Sequence, residues 1–235
     1  MARGERHACH GAATARSVPV DHEDQPAIAE LGKQCRFMRA IAKRTGQPPL
    51  RDFSADFAGL AKIVTGQQVS AASASAIWGR IEAGIQPFDA RRLLAHTSVE
   101  LRSFGLSAGK IKTLRAVADV VADGGLDFVR LNKSSDETIR AQLTTLHGIG
   151  PWTADIYLLF ALRRADAFAA GDLALQIAAQ RIFKLPERPT PDSLLKIAER
   201  WRPWRGAAAR LLWADYAYVQ RAKKAAPAKK RTPTA

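Results

Sequence analysis

The sequence predicts an all-α protein. From Ile28 onward apolar residues recur at spacings of three and four. Glycine, proline, serine and aspartate stand where helices would end and begin, and no stretch alternates apolar with polar residues as a half-buried strand would. The 235 residues, 47% of them hydrophobic, suffice for one substantial domain or two small lobes with a real core. The formal net charge of +14 favours a polyanionic partner, with nucleic acid the first candidate and a membrane surface the weaker one. No run approaches the roughly 20 apolar residues of a spanning helix.

Along the chain, residues 1–24 show no periodicity and read as a disordered leader; they lack the apolar centre of a secretion signal, so an intracellular protein is expected. The only two cysteines, Cys9 and Cys35, cannot hold a four-cysteine iron–sulfur cluster and read as free thiols. Ile28, Leu31, Cys35, Met38 and Ile41 mark a first helix that stops at Gly46. A second should run from about Ser54 to Gly66, and the small-residue stretch "GQQVSAASASAIWGRIEAG" allows close helix packing. Further helices are expected at Phe88–His96, Val99–Phe104 and, capped by Ser107, up to Asp123. Ser134 and Glu137 have the form of a capping box for "SSDETIRAQLTTL".

Next comes "LHGIGPWTAD", with Pro151 at the first position of a helix that is apolar nearly all round and therefore central. A linker leads to a helix from Asp172 to about Phe183, and a final helical pair carries Trp201, Trp204 and Trp213. Residues 221–235 read as a basic disordered tail. The expected organisation is two helical lobes, a middle one of about 66–165 and a second built from about 25–65 plus 166–220.

Helix, "HGIG", helix is a helix-hairpin-helix. Gly148 and Gly150 leave backbone N–H groups uncovered at the positive end of the next helix, which suits a DNA phosphate gripped without reading sequence. On spacing alone the same glycines read first as a tight corner between packed helices. Asp172 likewise reads first as the N-cap of "LALQIAAQ", a role compatible with chemistry because a helix N-terminus favours a carboxylate in its ionised form.

The segments "LTTLHGIGPWTADIYLLFAL", "AFAAGDLAL", "RWRPWRGAAARLLW", "IVTGQQVS" and "LRSFGLSAGKI" together resemble the helix-hairpin-helix DNA glycosylases, specifically the 3-methyladenine DNA glycosylase II (AlkA-like) group, over about residues 26–218. Only about fifty residues precede the matching core, so the chain resembles a compact form without that group's N-terminal β domain. The resemblance implies an active-site cleft between the lobes and a monofunctional glycosylase of base excision repair. Such an enzyme flips alkylated purines, 3-methyladenine and 7-methylguanine above all, and hydrolyses their N-glycosidic bond.

It implies that Asp172 is the catalytic carboxylate, although Ala169 stands where that segment usually has proline. Its charge would stabilise the oxocarbenium-like sugar or orient the attacking water. Trp152 occupies the place where strand-cutting relatives carry a lysine nucleophile, so no lyase activity is expected. Trp213 matches an aromatic that stacks on the flipped base, which when alkylated is cationic and gains about 1–2 kcal/mol from an indole face. Trp152 and Tyr157 are candidates for the pocket wall or the core, whereas Trp201 and Trp204 read as structural with Arg202 and Arg205 outside.

Gln68 falls at the position of the wedge that fills the gap left by flipping. Gly148, Ile149, Gly150 and Lys110 complete the expected DNA contacts, with Lys112 and the tail as nonspecific additions. The backbone carbonyls of Thr144, Leu146 and Ile149 would hold a structural Na+ or K+. No cofactor is required and no iron–sulfur cluster is expected. The partner is double-stranded DNA, with no membrane; the protein is expected to be a cytoplasmic, nucleoid-associated monomer. The reading from a different class is a noncatalytic DNA- or lesion-binding protein, from which the presence of Asp172 distinguishes the enzyme.

Overall fold

The computed structural model describes residues 24–48 and 51–225. Among these there are thirteen α-helices and no strand. The leader to residue 23 and tail residues 226–235 lie outside the described residues.

Helices α1 (Asp24–Gln34) and α2 (Arg36–Thr45) replace the single helix that the periodicity suggested. Cys35 is extended (φ −137°, ψ 110°), and Arg39 Nε reaches back across the break to the Gly32 carbonyl at 2.6 Å. An unbroken stripe of apolar residues does not record such a bend, because both halves bury the same side, through Leu31, Met38 and Ile41. Helix α3 (Phe57–Gly66) starts three residues later than expected because Asp56 is its cap and accepts from the Gly59 N–H.

Caps govern most of the remaining boundaries. Ser70 opens α4 (Ala71–Gly84), Asp89 opens α5 (Ala90–Ala95), and a capping box of Thr97 and Glu100 opens α6 (Ser98–Ser103). Ser107 caps α7 (Ala108–Ala122) as expected. A short α8 (Phe128–Leu131), capped by Asp127, has no periodicity long enough to be legible in the sequence. Helix α9 (Asp136–Thr144) is capped by Ser135, one residue beyond the expected Ser134, and Ser135 accepts from Thr138 N.

Helix α10 (Pro151–Ile156) has proline in its first turn and widens directly into a π-helical turn, Tyr157–Ala161, every residue of which is buried. Then follow α11 (Leu173–Phe183), α12 (Pro191–Ala198), a 3-10 turn (Glu199–Trp201) and α13 (Arg205–Ala225). Helix α13 thus takes in Arg221–Ala225, which the sequence had assigned to the tail.

The first and last helices meet, since α13 packs on α1, α2 and α11. The fully buried Asp215 on α13 fastens this group by pairing with Arg44 of α2 and Arg181 of α11. Helix α3 packs on α4, α7, α10 and the π-turn. We therefore propose that the lobe boundary lies within 46–56 rather than at 65/66. Trp201 is fully buried, stacked on Phe183, in accord with a structural role. Arg205, expected outside, is instead largely covered and bound to Asp166 and Glu199.

Candidate active site

Asp172 follows a turn at residues 170–171 and opens α11, and its carboxylate is held by four donors among the described residues. Oδ1 accepts from the Ala174 N–H at 2.9 Å, the Leu175 N–H at 3.1 Å and the Trp213 indole N–H at 2.9 Å. Oδ2 accepts from the Trp152 indole N–H at 2.9 Å. Asp172 thus caps α11 as the sequence suggests, and it is clamped in addition by indoles from α10 and α13. The clamp saturates Oδ1 and leaves Oδ2 with acceptor capacity to spare. The carboxylate is half-buried, as are both indoles.

The Trp213 ring stacks on Phe160, with centroids 5.6 Å apart and planes inclined by 29°. Phe160 went unnoticed in the sequence. Its signal was its place eight residues beyond Trp152, on the same helical face. Tyr157, proposed from the sequence for the pocket, does not line it. Five residues beyond Trp152 it points away from that face, is fully buried, and donates its hydroxyl to Asn132 Oδ1 at 3.0 Å. Burial is the main reason its phenol titrates well above the usual range.

Arg51, also missed, lies in the irregular segment before α3. Its guanidinium stands 5.5 Å from the centroid of Phe160 and 5.9 Å from that of Trp213. Desolvation lowers its pKa, and the Asp172 charge opposes that shift.

The hairpin turn runs Thr145–Gly150. Gly148 has φ +78°, and a Cβ there would lie 2.0 Å from Thr113 Oγ1, so both conformation and space require glycine. Gly150 has ordinary backbone angles and nothing within 4 Å of a built Cβ, so it is bare on its outer side. Among the described residues, the N–H groups of Gly148 and Gly150 donate no backbone hydrogen bond. Ile149 differs: its side chain is buried and its N–H donates to the Leu146 carbonyl at 3.1 Å, so it supports the turn from within.

Gln68 is exposed at the tip of the turn between α3 and α4, with the left-handed φ of 55°. Its neighbour Gln67 donates to Thr153 Oγ1 at 2.8 Å, joining this turn to α10. Lys110, expected to meet phosphate, instead turns inward and donates to the Thr65 carbonyl at 2.7 Å. Desolvation lowers its pKa. A carbonyl left over at the C-terminus of α3 competes for the ammonium more closely than any solvated contact, so Lys110 braces the Gln68 turn. Among the described residues, no group of three or more His, Cys, Asp or Glu is placed to hold a metal ion. Nor is any helix long and apolar enough to cross a membrane.

A helical protein with a glycine hairpin and, one helix further on, a capping aspartate defines the helix-hairpin-helix class of base excision repair proteins. The chain belongs to that family: the profile of the HhH-GPD superfamily base excision DNA repair proteins matches residues 61–203. It is 32% identical over 174 residues to DNA-3-methyladenine glycosylase 1 of Schizosaccharomyces pombe, an alignment that covers 70% of this chain and 76% of that protein. It is 30% identical over 215 residues to the probable bifunctional transcriptional activator/DNA repair enzyme AlkA of Mycobacterium tuberculosis. That match covers 84% of this chain and 41% of the relative's length. Among solved structures, the S. pombe 3-methyladenine DNA glycosylase Mag1 in complex with abasic DNA superposes with a TM-score of 0.72 at 27% identity. The superposition covers 80% of this chain and 95% of that one. Arg51 and Trp213 lie outside the profile's span, whereas the hairpin and Asp172 lie inside it.

Proposed function

We propose that this protein is a monofunctional DNA glycosylase of base excision repair that flips an alkylated purine out of duplex DNA, hydrolyses its N-glycosidic bond and leaves an abasic site. The observation that carries the reading is the Asp172 carboxylate, clamped by Trp152 and Trp213 beside the hairpin. Departure of the base builds positive charge on the deoxyribose, and a fixed carboxylate next to that sugar stabilises it. Oδ2, with a single donor among the described residues, is the oxygen available to the sugar or to the attacking water. Trp152 donates a hydrogen bond where a lyase needs an amine, so the reaction stops at base removal. The relatives named DNA-3-methyladenine glycosylase support alkylated purines as substrate.

On the DNA side, the bare N–H groups at Gly148 and Gly150 grip a backbone phosphate, and Gln68 fills the gap left by the flipped nucleotide. Among the described residues the carbonyls of Thr144 and Ile149 accept no backbone N–H, and that of Leu146 accepts one, so this set of hard oxygen donors suits Na+ or K+. Such an ion would add positive charge beneath the phosphate. The enzyme acts as a monomer on double-stranded DNA.

The test is incubation with methylated duplex DNA, following released base and strand breaks before and after alkali. Released 3-methyladenine and 7-methylguanine with breaks only after alkali is the expected result. No release, or equal release by Asp172→Asn, overturns the mechanism, and breaks without alkali overturn the monofunctional reading.

A further inference from the structure

A cation already sits at the aromatic seat. The Arg51 guanidinium lies over both members of the stacked Phe160–Trp213 pair, whose indole donates to the Asp172 carboxylate. Among the described residues it makes no hydrogen bond or ion pair, so the two rings and the field of Asp172 are what hold it there. The residue belongs to a segment without regular structure and is exposed overall, so no buried contact of its own side chain has to break for it to move aside.

We propose that Arg51 is a specificity-determining residue that stands in for the cationic base and competes with it for this seat. The inference rests on the reading of the site as one for flipped alkylated purines. Two positive charges cannot share one aromatic face and one carboxylate without repulsion, so a methylated purine enters only as Arg51 leaves. A guanidinium left in place would also oppose the positive charge that builds on the sugar. Departure of Arg51 therefore both frees the seat and uncovers the Asp172 field. A neutral base must displace the same side chain but is not repelled by its charge, so the charge of Arg51 sets the ratio in which cationic and neutral bases are accepted.

The experiment reads binding apart from catalysis. Tryptophan fluorescence of the full chain is titrated with 7-methylguanosine, in mildly acidic buffer where it is cationic, and with guanosine, for wild type, Arg51→Gln and Arg51→Lys. Removal of the charge in Arg51→Gln is expected to tighten 7-methylguanosine roughly fivefold, the order of one exposed cation–π contact, with guanosine little changed. Arg51→Lys, which keeps the charge, should stay near wild type. An equal change for both nucleosides, weaker binding of the cation by Arg51→Gln, or no binding by any of the three proteins overturns the proposal. Failure of wild type to release base from methylated DNA speaks instead against the proposed function.

Discussion

The indole of Trp213 donates to Asp172 Oδ1 at 2.9 Å across 41 positions of sequence. This bond brings the last helix to the cap of α11, so the carboxylate that opens one helix is oriented by another. A helix cap alone needs only the Ala174 and Leu175 N–H groups; two further indole donors mark a carboxylate whose orientation is fixed from both sides.

Asp172→Asn separates the two roles. Asparagine is as good an N-cap as aspartate, but its amide must set an N–H against one of the indole donors. Thermal unfolding should show a loss of about 1 kcal/mol, while single-turnover base release falls about 100-fold or more. A large loss of stability with activity retained would make Asp172 a structural residue only.

Trp213→Phe keeps a ring to stack on Phe160 and deletes the donor to Oδ1. Hydrogen bonds to charged groups contribute about 1.5–3 kcal/mol, so single-turnover release should fall about tenfold or more. Trp213→Ala, which also strips the seat, should fall further. Equal rates for the two variants would show that the donor, and not the aromatic face, is what matters.

The two hairpin glycines should respond in opposite ways. At Gly148 an alanine meets Thr113 Oγ1 and a left-handed backbone, which together cost roughly 2–4 kcal/mol. Gly150→Ala meets nothing, so its cost is confined to the weaker N-cap that alanine makes for α10, about 1 kcal/mol or less. Only Gly150 therefore reports cleanly on the phosphate grip. Its replacement by a bulkier residue should weaken binding to undamaged duplex, with a shallower dependence on salt; unchanged affinity removes the hairpin from the DNA interface.

How much of this was legible in the sequence follows from which interactions are local. Caps such as Ser107 and Asp172 act within three residues of themselves and are written in the chain. The break at Cys35 was hidden because a bent helix pair can bury one continuous stripe. Trp152, Trp213 and Asp172 were singled out by motif, but their hydrogen bonds depend on three helices meeting. Phe160 and Arg51 had no motif, and only tertiary packing reveals them. Lys110 looked like a surface lysine because the carbonyl it satisfies lies 45 residues away.

The pH dependence of stability tests the half-buried Asp155, which accepts from Arg140 Nε at 2.7 Å. Burial, the largest influence, raises its carboxyl pKa despite Arg140, so the folded protein binds this proton more tightly than the unfolded chain does. Its contribution is therefore favourable below the unfolded value near 3.9 and is lost as pH rises through the folded value. Measured against Asp155→Asn by chemical denaturation, wild type should lose relative stability as pH is raised from about 4. A relative gain over that interval would show that Arg140 outweighs burial.

Gln68 offers a pair of effects of opposite sign. A glutamine held at φ 55° carries strain of about 1 kcal/mol, and glycine relieves it at some cost in unfolded-state entropy. Gln68→Gly should therefore leave stability unchanged or raise it by up to about 1 kcal/mol. The same change removes the side chain that fills the gap beside a flipped nucleotide, so excision from duplex DNA should fall while excision from a mismatched or single-stranded site falls less, because such a base is already partly unstacked. Stability is read by denaturant titration and excision by single-turnover assay on matched substrates. A strained residue kept on an exposed tip is explained if the side chain acts on DNA. Equal excision by wild type and Gln68→Gly on every substrate would leave the strain without that function.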